Sequence, residues 1–134
     1  MNEALELHDS EIDRIVVKDA GVTLHFNHVY VHRSAGTPGV NAGSGWSQMG
    51  DVIIKGATIE CHVQEMPFVI LSGTLEVGDE VLANIIAMPL RHEGKIKLTL
   101  ESWNDWKIVV QGTEIVASLA GNAEYVEEFS GITT

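Results

Sequence analysis

The chain has little cysteine and little positive charge, and it has no long apolar run. Cys61 is the single cysteine among 134 residues, so no internal disulfide can form, and a reducing, cytoplasmic setting is the expectation. No apolar stretch approaches the ~20 residues that a membrane-spanning helix needs. The first twenty residues, MNEALELHDSEIDRIVVKDA, are acidic and lack the basic start and apolar stretch of a secretory signal, so none is expected. Lys and Arg total 8 against 19 Asp and Glu, a formal net charge of −11. That balance makes nucleic acid a poor partner, because phosphate binding needs clustered cations. Phosphate-binding loops are missing as well. Gly43-Ser44-Gly45 gives two glycines of a dinucleotide fingerprint, but Gln48 stands at the third, and no P-loop lysine follows. No Gly-x-Ser-x-Gly nucleophile elbow is present.

What remains is ordinary globular composition, 45% apolar and 20% charged, which excludes wholesale disorder and supports one domain over 1–134. Apolar residues recur at period two, the pattern of strands with one face toward a core. Lys95-Ile96-Lys97-Leu98-Thr99-Leu100-Glu101 alternates without an error. Turn chemistry at Asp19-Ala20-Gly21, Gly78-Asp79, Glu93-Gly94, Asn104-Asp105 and Gln111-Gly112 divides the chain into short segments. The expected strands are 11–18, 22–33, 51–63, 69–77, 81–89, 95–103, 106–111 and 113–119. Short connections favour antiparallel neighbours. The expected fold is therefore all-β, an antiparallel sandwich or barrel of about eight strands. Asn122 is a fair N-cap before Ala123–Phe129, so a short C-terminal helix is expected, with Tyr125 and Phe129 on one face. The expected core includes Ile15, Val17, Leu24, Phe26, Ile59, Val63, Leu71, Leu75, Leu98, Leu100, Ile108 and Val110. The run 81–89 is apolar on both faces, which suggests a covering helix or a second subunit, hence a homodimer.

Residues 34–50, SAGTPGVNAGSGWSQMG, are expected to form a long Gly-rich loop. Trp46 within it either plugs one end of the core or belongs to a lid or partner contact. His28, Tyr30 and His32 share one face of an unbroken strand. His28 and His32 would stand about 13 Å apart at the usual rise, too far for one metal ion without a bend. The same face carries Val22, Leu24 and Phe26, so the strand either leaves the core near His28 or carries a bulge there. The histidines are read as a satisfied or solvated cluster first, and as a metal or catalytic site second. His8-Asp9-Ser10-Glu11 reads as a hydrogen-bonded turn or as an imidazole oriented by a carboxylate. Cys61 shares the apolar parity of Ile59 and Val63, so a buried, unreactive thiol is expected. Trp103 and Trp106 bracket a predicted hairpin, and Trp103 falls on its more exposed face, where it either anchors a partner or zips the hairpin. Acidic residues cluster at both ends, in Glu3, Glu6, Asp9, Glu11 and Asp13 and in Glu124, Glu127 and Glu128. They keep the chain soluble or recruit a basic partner.

Leu7-His8-Asp9-Ser10-Glu11-Ile12, leading into a strand, resembles the His-Asp-Ser-x-Ile start of several small bacterial β-rich families. Some of these are uncharacterised and some look like immunity proteins of toxin systems. The resemblance covers six residues and carries over no catalytic residue. It implies a stoichiometric inhibitor that blocks a toxin by binding.

Two functions are carried forward. The first is a non-enzymatic binding protein for a basic protein partner, with immunity-type inhibition its most concrete form. The second is a β-barrel that binds a small ligand or metal through the histidine cluster, with or without catalysis. Candidate contact residues are His8, Asp9, His28, Tyr30, His32, Trp46 and Trp103. No cofactor, catalytic residue or metal ligand is assigned.

Overall fold

Alternating apolar residues and tight turns produce ten strands in the computed structural model, which describes residues 1–132. They are β1 (Asn2–Lys18), β2 (Gly21–Ser34), β3 (Gly43–Lys55), β4 (Thr58–His62), β5 (Phe68–Val69), β6 (Ser72–Val77), β7 (Glu80–Ala83), β8 (Ile85–Ala87), β9 (Arg91–Glu101) and β10 (Lys107–Phe129). Strand accounts for 74% of the chain, and no helix is found among the described residues. None can therefore be long and apolar enough to cross a membrane. All pairings are antiparallel. β1 and β2 meet at Asp19-Ala20, with φ of 52° and 59°. Positive φ at both positions gives the turn whose twist matches that of the flanking strands.

The strands curl into a half-barrel in the order β5-β1-β2-β3-β10-β9-β6-β7, with β4 paired to β10 and β8 to β1. Two chain segments link the ends of this sheet. β5 pairs with β1, and the same segment continues into β6, which pairs with β9. β7 pairs with β6, and its continuation β8 pairs with β1. The core lies inside the curl and contains Leu5, Leu24, Phe26, Ile54, Phe68, Leu75, Ile96, Leu100 and Ile115. Side chains fill it. The cavity at its centre is about 20 Å³ and lined by residues such as Leu5, Phe26, Leu98 and Ile115, room for about one water molecule and far below a ligand pocket of roughly 300 Å³ or more.

A line of register shifts crosses four strands. It passes between Glu6 and Glu11 on β1, between Phe26 and Val29 on β2, and between Ala120 and Glu124 on β10, with Gln48 of β3 among them. On β2 the shift exchanges the buried parity, from Val22, Leu24 and Phe26 to Val29 and Val31. Of the two alternatives that the change of character at His28 left open, the strand carries the bulge.

Several expectations need correction. The C-terminal helix does not form. Residues 122–129 instead prolong β10 along β3. A helix there would leave the edge of residues 43–47 that faces away from β2 unpaired, and a strand satisfies it. Asn122 lies in the bulge beside Gly121, whose φ is 70°. The Gly-rich loop shrinks to 35–42, because Gly43–Gly50 is strand. Those glycines mark close packing rather than a loop: a side chain at Gly45 would strike Tyr30, and one at Gly50 would meet the Ser118 carbonyl at 2.9 Å. Glu93-Gly94 and Gln111-Gly112 are not turns between strands; they lie within β9 and β10 at the register shift, where Gly112 pairs with Ile96 and Glu114 with Glu93.

The run 81–89 is also not one doubly covered strand. At Asn84, with φ of 65°, the chain changes partners from β6 to β1, so Leu75 faces Leu82 and Leu5 faces Ile86. That change of partners explains apolar residues on both parities within a single chain. Of the expected core, Leu24, Phe26, Leu75, Leu98, Leu100, Ile108 and Val110 are buried. Ile15, Ile59, Val63 and Leu71 are half-buried, and Val17 is exposed. Ile70, not Leu71, enters the core, because the chain bends between β5 and β6.

Candidate functional site

Beyond the line of register shifts, the ends of four strands form one end of the sheet, here called the wing: residues 2–6, 29–34, 43–47 and 124–129. Its two faces differ. Cross-strand neighbours share a face, so Leu5, Val31, Trp46 and Tyr125 stand together on the core side. Trp46 packs against the core, its indole N–H donates to Ser44 Oγ at 2.8 Å, and Tyr125 meets it edge-on at 5.5 Å. The Arg33 guanidinium lies over the Trp46 ring at 4.6 Å and donates to Glu3 at 2.8 Å. Trp46 therefore packs on the core from a strand, not from a loop.

The opposite face carries Glu6, Tyr30, His32, Glu127 and Phe129. His32 is buried, with Tyr30 at 4.9 Å on one side and Phe129 edge-on at 5.0 Å on the other. Its Nε2 lies 3.2 Å from the Glu6 carboxylate, while Nδ1 is buried with no partner among the described residues. The Tyr30 hydroxyl donates to Glu127 at 2.8 Å. Burial, the bond it donates to Glu127 and the nearby charges of Glu127 and Glu6 hold the Tyr30 hydroxyl far above the ordinary tyrosine range. Tyr125, exposed on the other face, donates to Glu128 at 2.9 Å, and that bond raises it too. The His28 ring bonds to Ser47.

The structure thus brings Tyr30, His32 and Trp46 into the wing and leaves His28 at its base. His32 and His28 point at different partners, and among the described residues no group of three His, Cys, Asp or Glu side chains is placed to hold a metal ion. His8 and Asp9 lie in the bulged part of β1. The His8 backbone N–H donates to Asn84 Oδ1 and its ring Nδ1 to the Leu71 carbonyl, both at 2.7 Å. Asp9, with φ of 66°, donates its N–H to the Ile70 carbonyl at 2.9 Å. The pair fastens β1 to the segments that link the sheet ends, which is the structural-turn reading of this motif. Trp103 is 67% exposed in the turn before β10, at the opposite end of that strand from the wing. Cys61 is exposed, contrary to expectation, because β4 pairs with β10 alone among the described residues and lies at the sheet margin.

Sequence reasoning did not single out Glu6, Tyr125, Glu127 or Phe129 as parts of one site. No strand period could have grouped them, because the register shift between Tyr125 and Glu127 puts Tyr125 on one face and Glu127 and Phe129 on the other. His25, held between Asp51 at 2.7 Å and Asp13 at 3.8 Å, was also not singled out.

Among Lys and Arg, only Arg33 occurs in the wing, against Glu3, Glu6, Glu124, Glu127 and Glu128. Its outermost strand is the most open part, with Tyr125 and Val126 52% and 47% exposed among the glutamates. Comparisons with known protein families, curated proteins and solved structures returned no match. The site is therefore read from its own chemistry.

Proposed function

We propose that this protein is a non-enzymatic, cytoplasmic binding protein whose acidic wing recognises a basic protein partner, with immunity-type inhibition of a toxin as its most concrete form. The observation that carries this reading is the pair of exposed apolar residues, Tyr125 and Val126, set among Glu124, Glu127 and Glu128. Aromatic anchors supply contact area at low entropic cost, and the surrounding carboxylates steer a cationic partner into place. The ligand-binding alternative lacks equivalent support. The barrel interior is full, and the nitrogens of His28 and His32 that make bonds are engaged by Ser47 and Glu6.

Native mass spectrometry of the untagged protein from its own host tests the proposal. A basic protein bound at fixed stoichiometry, released by salt and lost from the Glu124→Lys/Val126→Asp variant, is the expected result. A bare protein, or one retaining a small molecule or metal, overturns it. Trp103→Ala serves as the control, because Trp103 lies at the far end of β10 and its loss should leave the complex intact.

A further inference from the structure

β10 is covered on both edges only over its first half. One edge pairs with β4 and then β3. The other pairs with β9 as far as Val116, and the Ala117 N–H donates to the Leu90 carbonyl at 3.1 Å. Beyond that point no strand among the described residues covers this second edge. Residues 118–129 thus present a row of backbone donors and acceptors to solvent on one side while β3 holds them extended on the other. The bulge at 121–123 interrupts this row, so Glu124–Phe129 is the window beyond it, about the length of an average strand, with a smaller register shift between Tyr125 and Glu127.

An open edge is a template for another strand. Two occupants differ sharply in charge. A second copy pairing antiparallel about Val126 would set Glu124 of each copy opposite Glu128 of the other, and pairing about Glu127 would set that residue opposite itself. Like charges directly opposed are unfavourable. A basic segment meets Glu124, Glu127 and Glu128 with complementary charge and covers the exposed Tyr125 and Val126. We infer that the open edge of β10 over Glu124–Phe129 is the docking site for an extended, basic segment of the partner protein, which adds to the sheet as a further strand. This rests on the basic-partner reading above and specifies how the partner is held.

The test uses the full chain and a short synthetic peptide of alternating lysine and valine, with the same peptide N-methylated throughout. N-methylation keeps charge and side chains but removes every backbone donor. The expected result is binding of the unmodified peptide, with slowed amide exchange confined to Glu124–Phe129, and binding at least ~10-fold weaker for the methylated form. Glu124 makes no side-chain hydrogen bond or ion pair among the described residues. Glu124→Lys is therefore expected to keep the melting temperature and to weaken the unmodified peptide ~10-fold at low salt. Equal binding of the two peptides, or protection elsewhere, overturns strand addition and leaves the basic-partner reading standing. No binding of either peptide also overturns strand addition. In that case the host-isolated protein decides the broader reading, which falls only if no basic protein accompanies it.

Discussion

The hydroxyl of Tyr30 donates a hydrogen bond to the carboxylate of Glu127, 2.8 Å away and 97 residues later in the sequence. The two residues sit on β2 and β10, and β3 runs between them. Gly45 on β3 faces Glu127, and Ser47 faces Tyr30. The tyrosine therefore reaches diagonally across a strand that has no side chain at the point of crossing. In doing so it shields His32 and joins the outermost strand of the wing to the interior of the sheet.

This bond carries a pH dependence. The folded protein holds the Tyr30 hydroxyl above its ordinary value of 10.0, so the neutral form is favoured in the native state. Its contribution is complete below pH 10 and is lost as pH rises through the higher folded value. Tyr30→Phe is expected to cost about 0.5–1 kcal/mol near neutrality, the low end for a partly exposed hydrogen bond. The difference between the variants should shrink well above pH 10. Urea unfolding of both proteins at neutral and alkaline pH measures it.

Gly45 provides a second check on the same geometry. A Cβ at this position would occupy the space of the Tyr30 hydroxyl and ring. Gly45→Ala should force Tyr30 off the sheet and destabilise the fold by about 1–3 kcal/mol. In a Tyr30→Ala background the same substitution should be nearly free of cost. A double-mutant cycle showing additive effects instead would contradict the crossing described here.

Cys61 is exposed on β4. A disulfide reagent should therefore modify it fully in the native protein, with no acceleration on adding urea. Cys61→Ser should change stability by no more than about 0.5 kcal/mol, as for other surface positions. A thiol that reacts only on unfolding would restore the buried thiol expected from its apolar parity.

The all-β, antiparallel character was legible because alternation is a local signal, and Lys95–Glu101 shows it without tertiary help. Leu24, Phe26, Leu98 and Leu100 were correctly placed in the core for the same reason. What escaped was information carried by partners. The Tyr125–Phe129 spacing fits a helix face, yet a register shift between Tyr125 and Glu127 sends Tyr125 to Trp46 and Phe129 to His32 on opposite faces. Glycines 43, 45 and 50 have the composition of a loop, and only the neighbours pressed against them reveal a strand. Asn84 hides a change of partner inside a continuous apolar run. Within the candidate site, the bulge near His28 was readable from the polarity change along β2, whereas the pairing of Glu6 with His32 and of Glu127 with Tyr30 was not.

The linkage of the sheet ends has a consequence for how the chain acquires its structure during synthesis. β1 can form a hairpin with β2 early, but its other edge waits for residues 68–69 and 85–87. β3 finds its second neighbour over residues 43–55 only when residues 114–129 emerge. Pairings between such distant segments are slow to close. The nascent polypeptide therefore carries uncovered apolar strands until translation is nearly past β10, the interval in which aggregation competes with folding.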